Sequence, residues 1–266
     1  MGGPRESAIG GAVRDVTGAL GTEDLAKTIA PSGRLRAAIN FGNPVLAQRD
    51  PSSGEPRGVS VELACELGRR LGVPVDLVAF EGAGRVFEAL EDDRWDVAFL
   101  AVEPIRANRI SFTAPYVVLE GTYVVPSRSR LRTVADIDRA GTRVAVVRGS
   151  AYDLYLTRSL AHTQLVRFGS FAEAMDAVLD GRVDAAAGVK QPIVAFAEAN
   201  SLLRVIPGRF MAIEQAMGMP KQRDAAAPFL RAFVEEMKAS GFAARALAAS
   251  GQADATIAPP ARRAAP

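Results

Sequence analysis

Phe87-Glu88-Ala89-Leu90-Glu91-Asp92-Asp93-Arg94-Trp95-Asp96 runs directly into Val97-Ala98-Phe99-Leu100-Ala101. The same grammar returns at Met175-Asp176-Ala177-Val178-Leu179-Asp180-Gly181-Arg182-Val183-Asp184, ahead of Ala185-Ala186-Ala187-Gly188-Val189. In each copy an apolar helix face meets a short acidic turn, and an Arg-apolar-Asp step opens a run of small and apolar residues suited to a buried strand. The repetition predicts two similar lobes. Ala101 and Val189 hold equivalent positions past each Asp and are expected to face one another if the lobes close on a ligand.

Working outward, Leu35 to Ile39 reads as a first strand, followed by a Pro, Gly and Asp-rich loop from Asn40 to Arg57. A helix over Val59 to Leu71 stops at Gly72, a strand follows at Val75 to Phe80, and a helix at Val86 to Glu91 leads into the strand Val97 to Val102. After a turn-rich connection from Pro126 to Gly141, the pattern begins again. It has strands at Arg143 to Val147, Gln164 to Phe168 and Ala185 to Val189, with helices at Ser150 to Leu160 and Phe171 to Leu179 between them. This alternation predicts an α/β protein with two mainly parallel sheets side by side, flanked by helices, and a ligand cleft beyond the carboxyl ends of the strands. Gly121 to Val125 and Met211 to Met219 are the expected crossings between lobes.

The expected organisation is a helical appendage over 1–33, a first lobe from 34–121 plus 218–253, a second lobe over 126–213, and a frayed tail over 254–266 rich in Ala and Pro with Arg262 and Arg263. Thr22 is the expected N-cap of a helix in the appendage, and an amphipathic helix from Asp224 to Ser240 is expected to cover the first lobe. Gly82-Ala83-Gly84 lacks the spacing of a nucleotide loop and reads as a turn.

Composition narrows the function. The chain has 266 residues, 48% of them hydrophobic, enough for a sizeable core. Lys plus Arg number 32 against 30 acidic residues, with no basic block, so nucleic acid is not an expected partner. No apolar run approaches the roughly 18 to 20 residues of a membrane span. The first 30 residues contain no continuous apolar segment of the signal-peptide kind, which fits either a cytoplasmic chain or one recorded after removal of an export sequence. The single cysteine, Cys65, is expected in the core, and the single histidine, His162, at a surface helix end, so neither a disulfide nor a His-based metal or catalytic cluster is anticipated. No cofactor is expected.

Taken in order, several segments resemble the family 3 extracellular solute-binding proteins, the receptors of polar amino-acid ABC importers with the type II periplasmic-binding fold. They are Leu35-Arg36-Ala37-Ala38, Gly58-Val59-Ser60-Val61-Glu62-Leu63-Ala64 with Leu71-Gly72-Val73, Trp95-Asp96, Glu103-Pro104-Ile105-Arg106, Phe112-Thr113-Ala114-Pro115-Tyr116, Arg148-Gly149-Ser150 and Gly181-Arg182-Val183-Asp184-Ala185. The resemblance implies that Arg106, six residues ahead of the Phe-x-x-Pro-Tyr signature, anchors the ligand carboxylate through the two parallel bonds a guanidinium can give. It implies that backbone N–H groups at Gly149, Ser150 and the following Ala151 meet the same carboxylate, Ser150 serving also as a helix N-cap.

The departures from the family pattern are chemical. Val189 stands where members that bind α-amino acids have an Asp for the ammonium, and Ala101 where they have Ser or Thr. Glu103 replaces a Thr and is either a substitute partner for an amine or a solvated loop carboxylate. Asn40 takes the place of a ligand-contact Asp, Asn43 of the aromatic lid, and Ala83 of another wall position. Tyr152 and Phe41 are candidate replacements for the lid, while Lys190 and Gln191 lie at the mouth of the second cleft strand. Burying an unpaired ammonium costs several kcal/mol, so a pocket of this kind is expected to disfavour ordinary zwitterions. The leading expectation is a monomeric receptor, periplasmic by resemblance, that traps a small carboxylate-bearing solute, amino-acid-like or organic acid, by hinge closure and delivers it to an ABC permease. The alternatives are an enzyme similar to cyclohexadienyl dehydratases, with Glu103 as general acid, and a cytoplasmic ligand-sensing module.

Overall fold

In the computed structural model, which describes residues 21–261, the two Arg-apolar-Asp steps end in aspartates that clamp the neighbouring strand. Asp96 accepts the Arg36 backbone N–H at 2.8 Å and returns its own N–H to the Arg36 carbonyl at 2.8 Å. Asp184 makes the same exchange with Arg143, at 2.8 and 2.9 Å. The internal repeat is thus a repeated way of fastening one parallel strand to the next. The copies differ in burial: the Asp96 side chain is 0% exposed and also pairs with the Arg36 and Arg223 guanidinium groups, whereas that of Asp184 is 41% exposed.

The first lobe contains α1 (Thr22–Ile29), β1 (Leu35–Asn40), the short hairpin of β2 (Gln48–Arg49) and β3 (Pro56–Arg57), α2 (Val59–Leu71), β4 (Val75–Phe80), α3 (Ala83–Glu88), β5 (Val97–Ala101) and α4 (Pro104–Ala107). A 17-residue strand, β6 (Ile110–Pro126), then leads to the second. There β7 (Arg143–Val147), α5 (Ala151–Ser159), β8 (Gln164–Phe168), α6 (Phe171–Leu179), β9 (Ala185–Val189), α7 (Lys190–Glu198) and β10 (Leu203–Val205) follow. The return strand β11 (Met211–Pro220) leads to α8 (Ala227–Ala239), α9 (Phe242–Ala249) and β12 (Thr256–Ile257).

Among the described residues, one 10-stranded sheet runs β4-β1-β5-β11-β6-β9-β7-β8, with β10 and β12 also paired to β6. Its outer groups β4-β1-β5 and β8-β7-β9 are parallel. The expected side-by-side sheets are therefore joined through antiparallel β6 and β11, which pair from Met211↔Gly121 to Pro220↔Ile110. The register slips between Gln215 and Ala216 and again before Gly218, opposite Pro115, a residue with no N–H for the ladder. Helices cover both faces. One cluster joins Leu63 and Leu67 of α2 to Phe233 of α8, and a second lies under α3 around Trp95, whose indole N–H donates to the Val86 carbonyl at 2.8 Å. Burying each of these large side chains contributes about 1.5–3 kcal/mol.

Several expectations are corrected. The helix assigned to an appendage, α1, starts from Gly21 rather than from Thr22 as cap, and buries Leu25 and Ile29 in the first-lobe core. The tail does not fray at once: Thr256 and Ile257 pair with Val118 and Val117, and Ala255 and Ala258 are buried. The covering helix begins at Ala227, after a 3-10 segment over Lys221–Ala226. Cys65 is exposed, because the buried stripe of α2 runs through Val59, Leu63, Ala64, Leu67 and Leu71, out of phase with position 65. The expectations about residues 1–20 and about Arg262 and Arg263 lie outside the described residues.

Candidate functional site

Strand ends position the site. Asn40 closes β1, Ala101 closes β5, Val147 closes β7 and Val189 closes β9, and all of them line one cavity between the lobes. Gly42, Asn43, Gly82, Ala83, Ser150, Ala151, Tyr152 and Arg106 complete its rim, with Leu100, Ile213 and Gln215 as floor. No Asp or Glu is among these residues. The space open to the centre of a water molecule is about 40 Å³, room for a few waters or a compact polar group.

Among the described residues Arg106 is the only charged side chain of that lining, and it is 1% exposed. Pro104 at the start of the one-turn α4 and Glu103 as its extended N-cap turn the chain back, so that the guanidinium lies beneath the end of β5. One terminal nitrogen donates to the Ala101 carbonyl at 3.0 Å, and the other crosses the cleft to the Gly149 carbonyl at 2.8 Å. Burial pushes its pKa down to about 10, while the charge of Glu103 acts in the opposite direction. A guanidinium has five N–H donors, and carbonyl dipoles do not neutralise it. Among the described residues no carboxylate lines the cavity beside it; Glu103, whose charge it feels, lies outside that lining.

The turn from β7 into α5 faces this arginine. Ser150 caps the helix, its hydroxyl accepting the Asp153 N–H at 3.1 Å. The Gly149 N–H is taken by the Asp153 carboxylate at 2.9 Å and that of Ser150 by the Val147 carbonyl at 3.1 Å. The amides of the helix start left for a ligand are thus those of Ala151 and Tyr152 rather than Gly149 and Ser150. Gly149 contributes its carbonyl instead.

The two lobes touch over the cavity. Gly149 has φ +70°, and a Cβ placed on it would stand 2.8 Å from the Gly84 Cα; one placed on Gly84 would stand 3.1 Å from the Arg148 carbonyl oxygen. Gly82-Ala83-Gly84 is therefore the start of α3 and a surface of lobe contact, not only a turn. Nearby, Glu103 meets Arg158 of α5 at 2.6 Å, an ion pair across the cleft. The contact lies off the hydrogen-bonding direction, so the Glu103 oxygen is held by charge rather than by a directed bond.

Of the residues singled out in the sequence, Asn40, Asn43, Ala83, Ala101, Arg106, Ser150, Ala151, Tyr152 and Val189 come together on the cavity wall. Phe41 lies in an adjoining chamber, beneath the Arg49 guanidinium at 4.1 Å from its ring centre. Glu103 is buried against Arg158, neither solvated nor on the wall. Lys190 opens α7 and pairs with Glu120 at 2.6 Å, and Gln191 follows it into a separate hollow. Sequence reasoning missed Gln215, a buried amide opposite Ala101; its signal was a polar residue inside the apolar run Met211 to Met219. Asn43 is buried, and its side-chain oxygen has no partner. Among the described residues no three metal-ligating side chains cluster, and no helix is long and apolar enough to cross a membrane.

Residues 35–249 match the family described as bacterial extracellular solute-binding proteins, family 3. The chain is 19% identical over 229 residues to the ABC transporter glutamine-binding protein GlnH of Bacillus subtilis (strain 168), spanning 82% of this chain and 81% of that protein. Among solved structures, holo ArgBP from T. maritima superposes with a TM-score of 0.69 at 25% identity, over 82% of this chain and 96% of that one. The ancestral amino acid-binding protein AncCDT-1, a precursor of cyclohexadienyl dehydratase, shares the fold with a TM-score of 0.70 at 21% identity, over 85% of this chain and 98% of that one. With the family pattern spanning both lobes and the cleft at their strand ends, the chain belongs to the family 3 extracellular solute-binding proteins, of the amino-acid ABC transporter type, with the type II periplasmic-binding fold.

Proposed function

We propose that this protein is the receptor of an ABC importer for a small carboxylate that carries no ammonium group beside its carboxylate. The observation that carries this reading is the buried Arg106 guanidinium in a cavity whose lining, among the described residues, contains no acidic side chain. A ligand carboxylate supplies the missing charge, held by the free guanidinium donors and the Ala151 and Tyr152 amides. On the family's arrangement an α-ammonium would stand beside Val189 and Ala101, which cannot replace its hydration, and would find only neutral acceptors such as the Asn43 side-chain oxygen. Asn43 and Gln215 offer neutral hydrogen bonds for a hydroxyl or amide on the same ligand. Closure works by bringing the start of α3 onto the turn before α5, which excludes water from the ion pair. An acid-catalyst role for Glu103 is disfavoured, since its carboxylate is engaged by Arg158 away from the cavity wall.

The test is a thermal-shift and calorimetric comparison of α-amino acids with their deaminated counterparts. Deaminated acids are expected to stabilise the protein, by about 2.7 kcal/mol at a hundred times Kd. Arg106→Ala is expected to weaken their binding by about 2–5 kcal/mol. Stabilisation by plain α-amino acids alone, or undiminished binding to the variant, would refute the assignment.

A further inference from the structure

A second chamber, of about 370 Å³ against about 40 Å³ on the same measure, adjoins the arginine cavity and shares Gly42, Tyr152 and Val189 with it as common walls. Phe41 and Pro44 from the first lobe face Phe171, Ala172 and Pro192 from the second across this space. Two of its polar groups have partners. Glu81 is paired with Arg49 at 2.9 Å, and the Ser170 hydroxyl accepts the Glu173 N–H as the cap of α6. Apart from the exposed Glu81 and the Ser170 hydroxyl, which keeps its proton to donate, most of the wall is apolar, beginning at Val189 where the two spaces meet. The arginine cavity is the smaller of the two spaces on that measure.

We propose that the solute is an amphipathic monocarboxylate with an aromatic or branched apolar tail, its carboxylate on Arg106 and its tail in this second chamber. The inference rests on the carboxylate reading of Arg106 and adds the class of the remainder of the molecule. The walls come from both lobes, so the tail loses its contact with water fully only when the lobes close. Tail burial therefore favours the closed form, as a ligand must if it is to shift a two-state equilibrium. A compact acid would satisfy Arg106 but leave the chamber to water.

The experiment measures binding of propionate, 3-phenylpropionate, 4-methylvalerate and indole-3-acetate by calorimetry, directly or in competition. The probes are applied to the intact protein, to Arg106→Ala and to Ala172→Trp. Ala172 is exposed on the first turn of α6, so the larger ring fills the chamber without entering a core. At least one tailed acid is expected to bind tenfold or more tightly than propionate, and Ala172→Trp is expected to bring that ratio toward one. Arg106→Ala is expected to weaken tailed and untailed acids alike. If propionate binds as tightly as every tailed acid and both depend on Arg106, the chamber has no role and the inference falls while the carboxylate reading stands. If none of the acids binds, both fall together.

Discussion

Gly84→Ala separates stability from closure, because the two respond with opposite sign. Gly84 lies in the first turn of α3, where a helical residue with a side chain is favoured over glycine by up to about 1 kcal/mol. With the lobes apart, nothing from the second lobe would oppose the added methyl. On closure that methyl would stand 3.1 Å from the Arg148 carbonyl oxygen and 3.3 Å from the Gly149 Cα, both backbone atoms that cannot swing aside. Overpacking of this kind costs about 1–3 kcal/mol. At about 1.4 kcal/mol per factor of ten, that is roughly a 5- to 150-fold loss of affinity. The assay pairs the unliganded melting temperature with calorimetric Kd for the best-binding acid, and small-angle scattering reports compaction on ligand addition. The melting temperature is expected to hold or rise while Kd weakens and compaction becomes incomplete. An unchanged Kd with full compaction would show that the contact between Gly84 and Gly149 is no part of the binding form.

The duplicated aspartates are expected to be unequal. Asp96→Asn removes the buried carboxylate shared by Arg36 and Arg223, which then keep only the exposed Asp93, and should cost several kcal/mol in urea unfolding, at most about 3–5, while Asp184→Asn disrupts a half-exposed pair worth about 0–1 kcal/mol; equal losses would refute the burial argument. Arg158→Ala leaves Glu103 buried without its partner only when the lobes are closed, so ligand release should accelerate with little change in unliganded stability, and an unaltered release rate would exclude the cross-cleft pair as a latch. Hydrogen bonds from Arg69 and then Arg70 hold the Glu66 carboxyl down to about 2 from 4.5. Its contribution is thus fully present above pH 4.5 and lost as pH falls through about 2, and Glu66→Gln should flatten the acid limb of the stability profile over that window.

The parallel strands of both lobes and most of the helices were legible because their signals are local, whereas β2, β3, β10, β12 and the part of β6 ahead of Gly121 were not read. The buried runs Val97 to Ala101 and Ala185 to Val189 carry their own apolar pattern, and the α2 stop at Gly72 is a left-handed residue, φ 68°, that glycine adopts without strain. Helix phase was misjudged at Cys65, since a two-residue offset separates the buried stripe from the solvent face. Arg106 became visible through its spacing from the Phe-x-x-Pro-Tyr signature, not through anything in Pro104-Ile105-Arg106-Ala107 itself.

By itself the amino-acid order determined the α/β alternation, the doubling of the lobe and the strand ends that border the cleft, all consequences of short-range periodicity and turn chemistry. Tertiary structure alone decided that Glu103 is answered by Arg158, that Gln215 floors the cavity, that Gly84 is small for the sake of Gly149, and that α1 and β12 belong to the packed body. Each of these is a meeting of segments distant in the chain. Whether a buried charge or a missing side chain signals a site depends on what stands opposite it, and only the folded chain puts an opposite there.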